Sequence, residues 1–181
     1  MKNIILTTCM LLCTAMLFAQ EFNQEIVQED GKRFLVGKIN LDGLRSLPYQ
    51  QWYLQGHQDY RVDSTIVNLF KEKLSDYTIT LFLGTWCGDS KRETPRFIKI
   101  LETAGFPMNQ LQIIALDRRR EHYKKSPTGE EKGLNIIKVP TMVFYKNGKE
   151  VNRIVERPLE NLEEDIAQIV HERPYIPNYA H

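Results

Sequence analysis

The sequence predicts a domain of the α/β class, and two observations carry that prediction. Residues 78–83, 111–116 and 141–145 are short runs rich in β-branched and aromatic side chains, as buried strands are. Around them lie segments with apolar residues at helical spacing: Ile66, Phe70 and Leu74, then Phe97, Ile98 and Leu101, then Leu162, Ile166, Ile169 and Val170. Strands alternating with helices build a sheet covered by helices. The length of 181 residues and the 42% hydrophobic content suit one domain with an extension.

Taken in order, residues 20–31 are polar and acidic and read as a mobile start. Arg33 to Ile39 predicts a first strand, and Asn40-Leu41-Asp42-Gly43 a turn. Residues 44–58 hold Pro48, Tyr49, Trp52, Tyr53 and His57, and predict a short helix or loop packed on the domain. Trp52 and Tyr53 there read as packing residues. A helix follows over 64–74, with Asp63 or Ser64 as its cap. The central strand, 78–83, leads into a helix that stops at Gly105-Phe106-Pro107. Strand 111–116 ends at Asp117.

The basic run Arg118 to Lys125 reads as a solvated loop. Where it borders the cysteine described below, it attracts an anionic partner or lowers the thiol pKa. Strand 141–145, the hairpin turn Lys146-Asn147-Gly148-Lys149 and a return strand over 150–155 come next. A closing helix over 159–170 and an extended aromatic tail on the surface, 174–181, complete the chain.

The formal net charge of +1 gives no reason to expect nucleic acid or an acidic membrane surface as a partner. No His/Cys/carboxylate cluster has ligand spacing, and His57 stands alone, so no metal is expected. Lys2, the apolar run 4–18 and Ala19-Gln20 read as a signal peptide over 1–19. The expectation is export to the periplasm or the extracellular space, with no membrane attachment after cleavage. An uncleaved anchor, or a lipoprotein formed at Cys9 or Cys13, stays open. Cleavage removes Cys9 and Cys13 and leaves Cys87 alone, so no internal disulfide can form.

Cys87 stands where the central strand ends and a helix begins. Unpaired N–H groups and the helix dipole favour an anion there, so a lowered thiol pKa is expected. Trp86-Cys87-Gly88-Asp89-Ser90 resembles the Trp-Cys-Gly-Pro-Cys motif of the thioredoxin family, and Pro95 matches the proline of its active-site helix. Val139-Pro140-Thr141 through Lys146-Asn147-Gly148 resembles that family's cis-proline loop, strand and hairpin.

The resemblance covers about residues 64–172. It implies the thioredoxin fold, a central mixed sheet of four to five strands flanked by helices, with an N-terminal extension. The expected divisions are 20–60 for the extension, 61–173 for the thioredoxin-like domain and 174–181 for the tail. It also implies Cys87 and Ser90 as the catalytic positions, and Trp86, Gly88, Asp89, Val139 and Pro140 as substrate-binding positions.

Departures from the family pattern shape the chemistry. Ser90 replaces the second cysteine, and an alcohol does not attack sulfur at neutral pH. Cys87 is therefore expected to form mixed disulfides that an external thiol resolves. The Ser90 hydroxyl, Lys91 and Arg92 would favour the thiolate, and Asp89 would oppose it. Leu81 stands in place of the family's buried acid, and Glu156 in place of a glycine lining the substrate groove, which it would narrow and charge.

The expected function is monothiol thiol–disulfide exchange, with protein or small-molecule disulfides as substrates, an external thiol as reductant and no cofactor. Two alternatives stay open: a redox-inactive module binding extended polypeptides, and glutathione-linked chemistry of the glutaredoxin kind. A peroxidase is disfavoured because Gly84 stands where peroxiredoxins have threonine.

Overall fold

The structure is a computed structural model and describes residues 22–180; the leader expected over 1–19 lies outside the described residues. Six strands form one mixed sheet, with the spatial order β1-β2-β4-β3-β5-β6. They are β1 Gln24–Val27, β2 Arg33–Ile39, β3 Tyr77–Leu83, β4 Leu111–Ala115, β5 Thr141–Lys146 and β6 Lys149–Val155. Only β3 and β4 run parallel among these neighbours. The helices are α1 Leu41–Arg45, α2 Gln50–Asp59, α3 Ser64–Leu74, α4 Gly88–Thr103 and α5 Leu162–Val170. This is the expected α/β architecture, with six strands in place of the four to five expected, because β1 and β2 of the N-terminal extension join the sheet.

Side chains on a strand alternate between faces, and that alternation divides the core. Ile79, Leu81 and Leu83 of β3, Ile113 and Ala115 of β4, and Met142 and Phe144 of β5 point into the larger cluster. There they meet Val67, Phe70 and Leu74 of α3, Phe97, Ile98 and Leu101 of α4, and Ile166 and Ile169 of α5. Phe82, Ile114 and Val143 face the other way, with Leu116 and Val139. The segment after β4 closes that second cluster through Leu134 and Ile136, and Trp86 and Cys87 pack at its rim.

Several local expectations change. The start expected to be mobile contains β1, which pairs along β2 from Gln24 with Val36 to Val27 with Arg33. Burial there follows the pleat, with Gln24 and Ile26 half-buried and Glu25 and Val27 exposed in the pattern of an edge strand. The extension is thus part of the same sheet, because β2 in turn pairs with β4. Asn40 does not open a turn: its side chain accepts the Gly43 N–H at 3.2 Å and caps α1. The closing helix begins at Leu162 rather than at 159, because Asn161 caps it and Asp165 turns back to the Leu159 N–H at 2.8 Å.

Residues 44–58 supply α2, which lies across α4. A Cβ placed on Gly56 would come within 2.7 Å of Pro95 Cγ, so a glycine is what lets these helices touch. Tyr53 is buried at this contact, and His57 meets Glu102 at 2.6 Å, remote in role from the Cys87 turn. The Leu47–Pro48 and Val139–Pro140 peptide bonds are cis.

Candidate functional site

The site begins where β3 runs out. Gly84-Thr85-Trp86 turns the chain, with Cys87 N–H donating to the Gly84 carbonyl at 2.8 Å. Cys87 has extended backbone angles and is the N-cap of α4, and Lys91 N–H returns to its carbonyl at 3.0 Å. The thiol therefore sits at the end of a 16-residue helix where N–H groups lack intrahelical partners. It is half-buried and unbonded to any other sulfur. Its Sγ–H donates to the Val139 carbonyl at 3.3 Å.

Contacts of Thr85 and Trp86 that sequence reading missed fix this turn. Thr85 is buried, and its Oγ1 accepts the Leu35 N–H at 3.0 Å, tying β2 to the turn. Trp86 folds back over Gly84, where an added Cβ would stand 2.7 Å from the indole. The indole N–H donates to the Leu116 carbonyl at 2.8 Å. Tyr123 then lies against Trp86 with ring centroids 5.6 Å apart.

The expected site residues divide by position. Trp86 and Val139 pack with Cys87 in the second core cluster, Pro140 follows Val139 in the chain, Asp89 is half-buried on the first turn of α4, and Gly88 is exposed there. Ser90 is fully buried, and its Oγ accepts the Gly84 N–H at 3.1 Å. Among the described residues no hydrogen bond links that hydroxyl to the Cys87 sulfur, so the expected donation to the thiolate is not made. Arg92 does not act on the thiol alone either, because it pairs with Asp89 at 2.7 Å and Glu93 at 2.6 Å. Leu81 is sealed in the larger core cluster, so the position beneath the helix is apolar.

Glu156 follows β6 with a left-handed backbone, φ 66°, and its N–H donates to the Pro140 carbonyl at 2.7 Å. Glycine adopts that conformation without cost. Here the carboxylate accepts from Lys138 at 3.0 Å and from the Tyr179 hydroxyl. Burial works against its charge, but these two hydrogen bonds outweigh burial and hold the carboxyl below its ordinary range. The tail thus reaches the groove as well as the surface, anchored by Tyr175 on Asp165 at 2.6 Å and by Asn178 on the Arg157 carbonyl at 2.9 Å.

The basic run separates into different environments. Arg119 forms a forked pair with the buried Asp117, 2.6 Å at its closest. Lys124 instead turns to the site, donating to the Ile137 carbonyl. Burial and the nearby Lys138 push its ammonium pKa down, while Cys87 and Glu156 act in the opposite direction. The sequence marked the run as charged but carried no signal for which member would dock on the loop before β5. Among the described residues there is no group of three or more His, Cys, Asp or Glu placed to hold a metal, and no helix long and apolar enough to cross a membrane.

A cysteine capping a helix, with a proline-loop carbonyl opposite it, defines a thioredoxin-fold protein of the thiol–disulfide type. Comparison with known proteins agrees: the family model described as Thioredoxin matches residues 62–170. The chain belongs to the thioredoxin family. A thioredoxin of Malassezia sympodialis is 30% identical over 87 residues, which span 48% of this chain and 75% of the relative. Among solved structures, a Pseudomonas aeruginosa protein of unknown function is 14% identical, with TM-score 0.46 over 68% of this chain and 78% of that one. The thioredoxin of Fasciola hepatica is 17% identical, with TM-score 0.36 over 61% and 93%.

Proposed function

We propose that this is an exported monothiol thiol–disulfide exchange protein acting through Cys87. The observation that carries the reading is the placement of one half-exposed thiol at the N-terminus of α4, 3.3 Å from the Val139 carbonyl, with a serine at the resolving position. After losing its proton, Cys87 attacks one sulfur of a substrate disulfide. A new S–S bond forms, the substrate's own S–S bond breaks, and the departing thiolate takes up a proton. Ser90 cannot release the adduct. An external thiol attacks the mixed disulfide, forming a new S–S bond to one of its sulfurs and releasing the other as a thiol. A second equivalent attacks the resulting disulfide, so that the substrate ends as two thiols, Cys87 is restored and the two external thiols leave joined as a disulfide.

Trp86, Gly88 and Asp89 on one side, and Val139 and Pro140 on the other, would border an extended disulfide-bearing segment. The leader expected over residues 1–19 supports export. Iodoacetamide labelling and mass spectrometry test the chemistry. Cys87 should alkylate readily in the native protein and accumulate mixed disulfides in the absence of added thiol. A thiol that resists both reagents while the protein is folded would leave a redox-inactive polypeptide-binding module as the better reading. Fractionation of cells expressing the full chain tests export, and retention of residues 1–19 on an intracellular protein would count against it.

A further inference from the structure

The loop after β4 brings to the Cys87 face a cation that has no carboxylate of its own. Lys124 is half-buried, with its ammonium on the Ile137 carbonyl and 5.0 Å from the centroid of the Tyr123 ring. Tyr123 is itself held against Trp86, the neighbour of Cys87. Ile137 stands two residues before Val139, whose carbonyl meets the thiol. The ammonium is therefore tethered on both sides to segments that also border the thiol, through Tyr123 to Trp86 and through Ile137 to the Val139 loop.

Two other cations of this region have carboxylate partners. Lys138 pairs with Glu156 at 3.0 Å, and Asp89 pairs with Arg92 at 2.7 Å. Among the described residues no carboxylate lies within ion-pair distance of Lys124. An ammonium has three donors, and the Ile137 carbonyl occupies one. The other two make no hydrogen bond among the described residues.

We propose that Lys124 is a specificity-determining residue of the Cys87 site and selects disulfides that carry a carboxylate beside the sulfur under attack. The inference rests on the exchange chemistry proposed above. Attack converts the Cys87 thiolate into a neutral disulfide sulfur, so Lys124 loses an anionic neighbour as the reaction proceeds. A substrate carboxylate takes over that role and keeps the ammonium paired in the mixed disulfide. A neutral disulfide offers no such replacement, and a cationic one is repelled. One charge at such range changes a rate by about three- to ten-fold, and by less as salt is added.

The test measures mixed-disulfide formation at Cys87 with three small disulfides: dithiodipropionate, bis(2-hydroxyethyl) disulfide and cystamine, which are anionic, neutral and cationic. The anionic-to-neutral rate ratio cancels any change in the thiolate fraction between variants. In the unaltered protein that ratio should be about three to ten at low salt and fall toward one at high salt. Lys124→Gln should bring it to about one at both, while Lys124→Arg should retain it. The neutral disulfide reports that each variant is folded with its thiol reachable. Equal ratios in the unaltered protein and Lys124→Gln overturn the selection by Lys124 and leave exchange standing. Failure of all three disulfides to react overturns the exchange reading and this inference together.

Discussion

Cys87 Sγ lies 3.3 Å from the carbonyl oxygen of Val139, a residue 52 positions away in the chain. The contact joins the helix-start thiol to the loop that precedes β5. It exists because β3 and β5 are antiparallel neighbours, with Phe82 opposite Thr141, so the end of one strand faces the start of the other.

The buried Ser90 predicts the effect of restoring a second thiol. Ser90→Cys fits the same space and stands one helical turn from Cys87. It should yield an intramolecular disulfide on oxidation, seen as loss of two hydrogens by mass spectrometry, and a gain in dithiol-driven disulfide reduction. Replacing the hydroxyl that accepts the Gly84 N–H should lower stability by about 1 kcal/mol. A Ser90→Cys protein that neither closes this disulfide nor gains activity would contradict the assignment of the resolving position.

Gly56→Ala should reverse the usual sign of that substitution. In an exposed helix interior alanine is better than glycine by about 1 kcal/mol. At the crossing of α2 and α4, however, the new Cβ would press to 2.7 Å from the Pro95 ring. Overpacking costs about 1–3 kcal/mol, so urea unfolding should show a net loss. A stabilised variant would mean that the two helices separate freely.

Thr85→Val removes the acceptor of the Leu35 N–H while keeping the side-chain shape. A buried donor left unpaired costs about 1–3 kcal/mol. Denaturant midpoints should fall accordingly, and amide exchange at Leu35 should quicken more than exchange along β5. Uniform quickening across the sheet would assign the loss to the fold as a whole rather than to this tie.

Acid should loosen the tail from the groove. The folded-state pKa of Glu156 is depressed below 4.5 by Tyr179 and Lys138 acting against burial. A depressed carboxyl contributes stability that is present above its unfolded value and lost as pH falls through the folded value. The Tyr179 ring resonances should therefore hold steady at neutral pH and move toward their random-coil positions once pH drops below 4.5. Glu156→Gln should abolish that pH dependence. An identical transition in both proteins would place the titrating group elsewhere.

The legible parts of this protein were those encoded by neighbours in sequence. Runs of β-branched and aromatic residues in β3, β4 and β5 revealed the sheet, and the 3.6-residue period of α3, α4 and α5 revealed the helices. The spacing from Trp86 to Ser90, with Val139-Pro140 downstream, located the thiol and its opposite wall. Less legible was β1: a four-residue strand with two exposed positions has too little pattern to read, and it becomes a strand because β2 offers an unpaired edge. Helix α1, too, depends on a single capping side chain at Asn40.

By itself the sequence determined the fold class, the cysteine at position 87 and the serine in place of a second cysteine at position 90, because these follow from residue identity and local period. Only the tertiary structure decided which charges face that sulfur. Arg92 and Arg119 find carboxylates close by in the chain, whereas Lys124 is held on the Ile137 carbonyl and over the ring of Tyr123, which packs against Trp86 beside Cys87. Coulomb energy depends on separation in space, and the spatial neighbours of a loop lysine are set by how the strands pair.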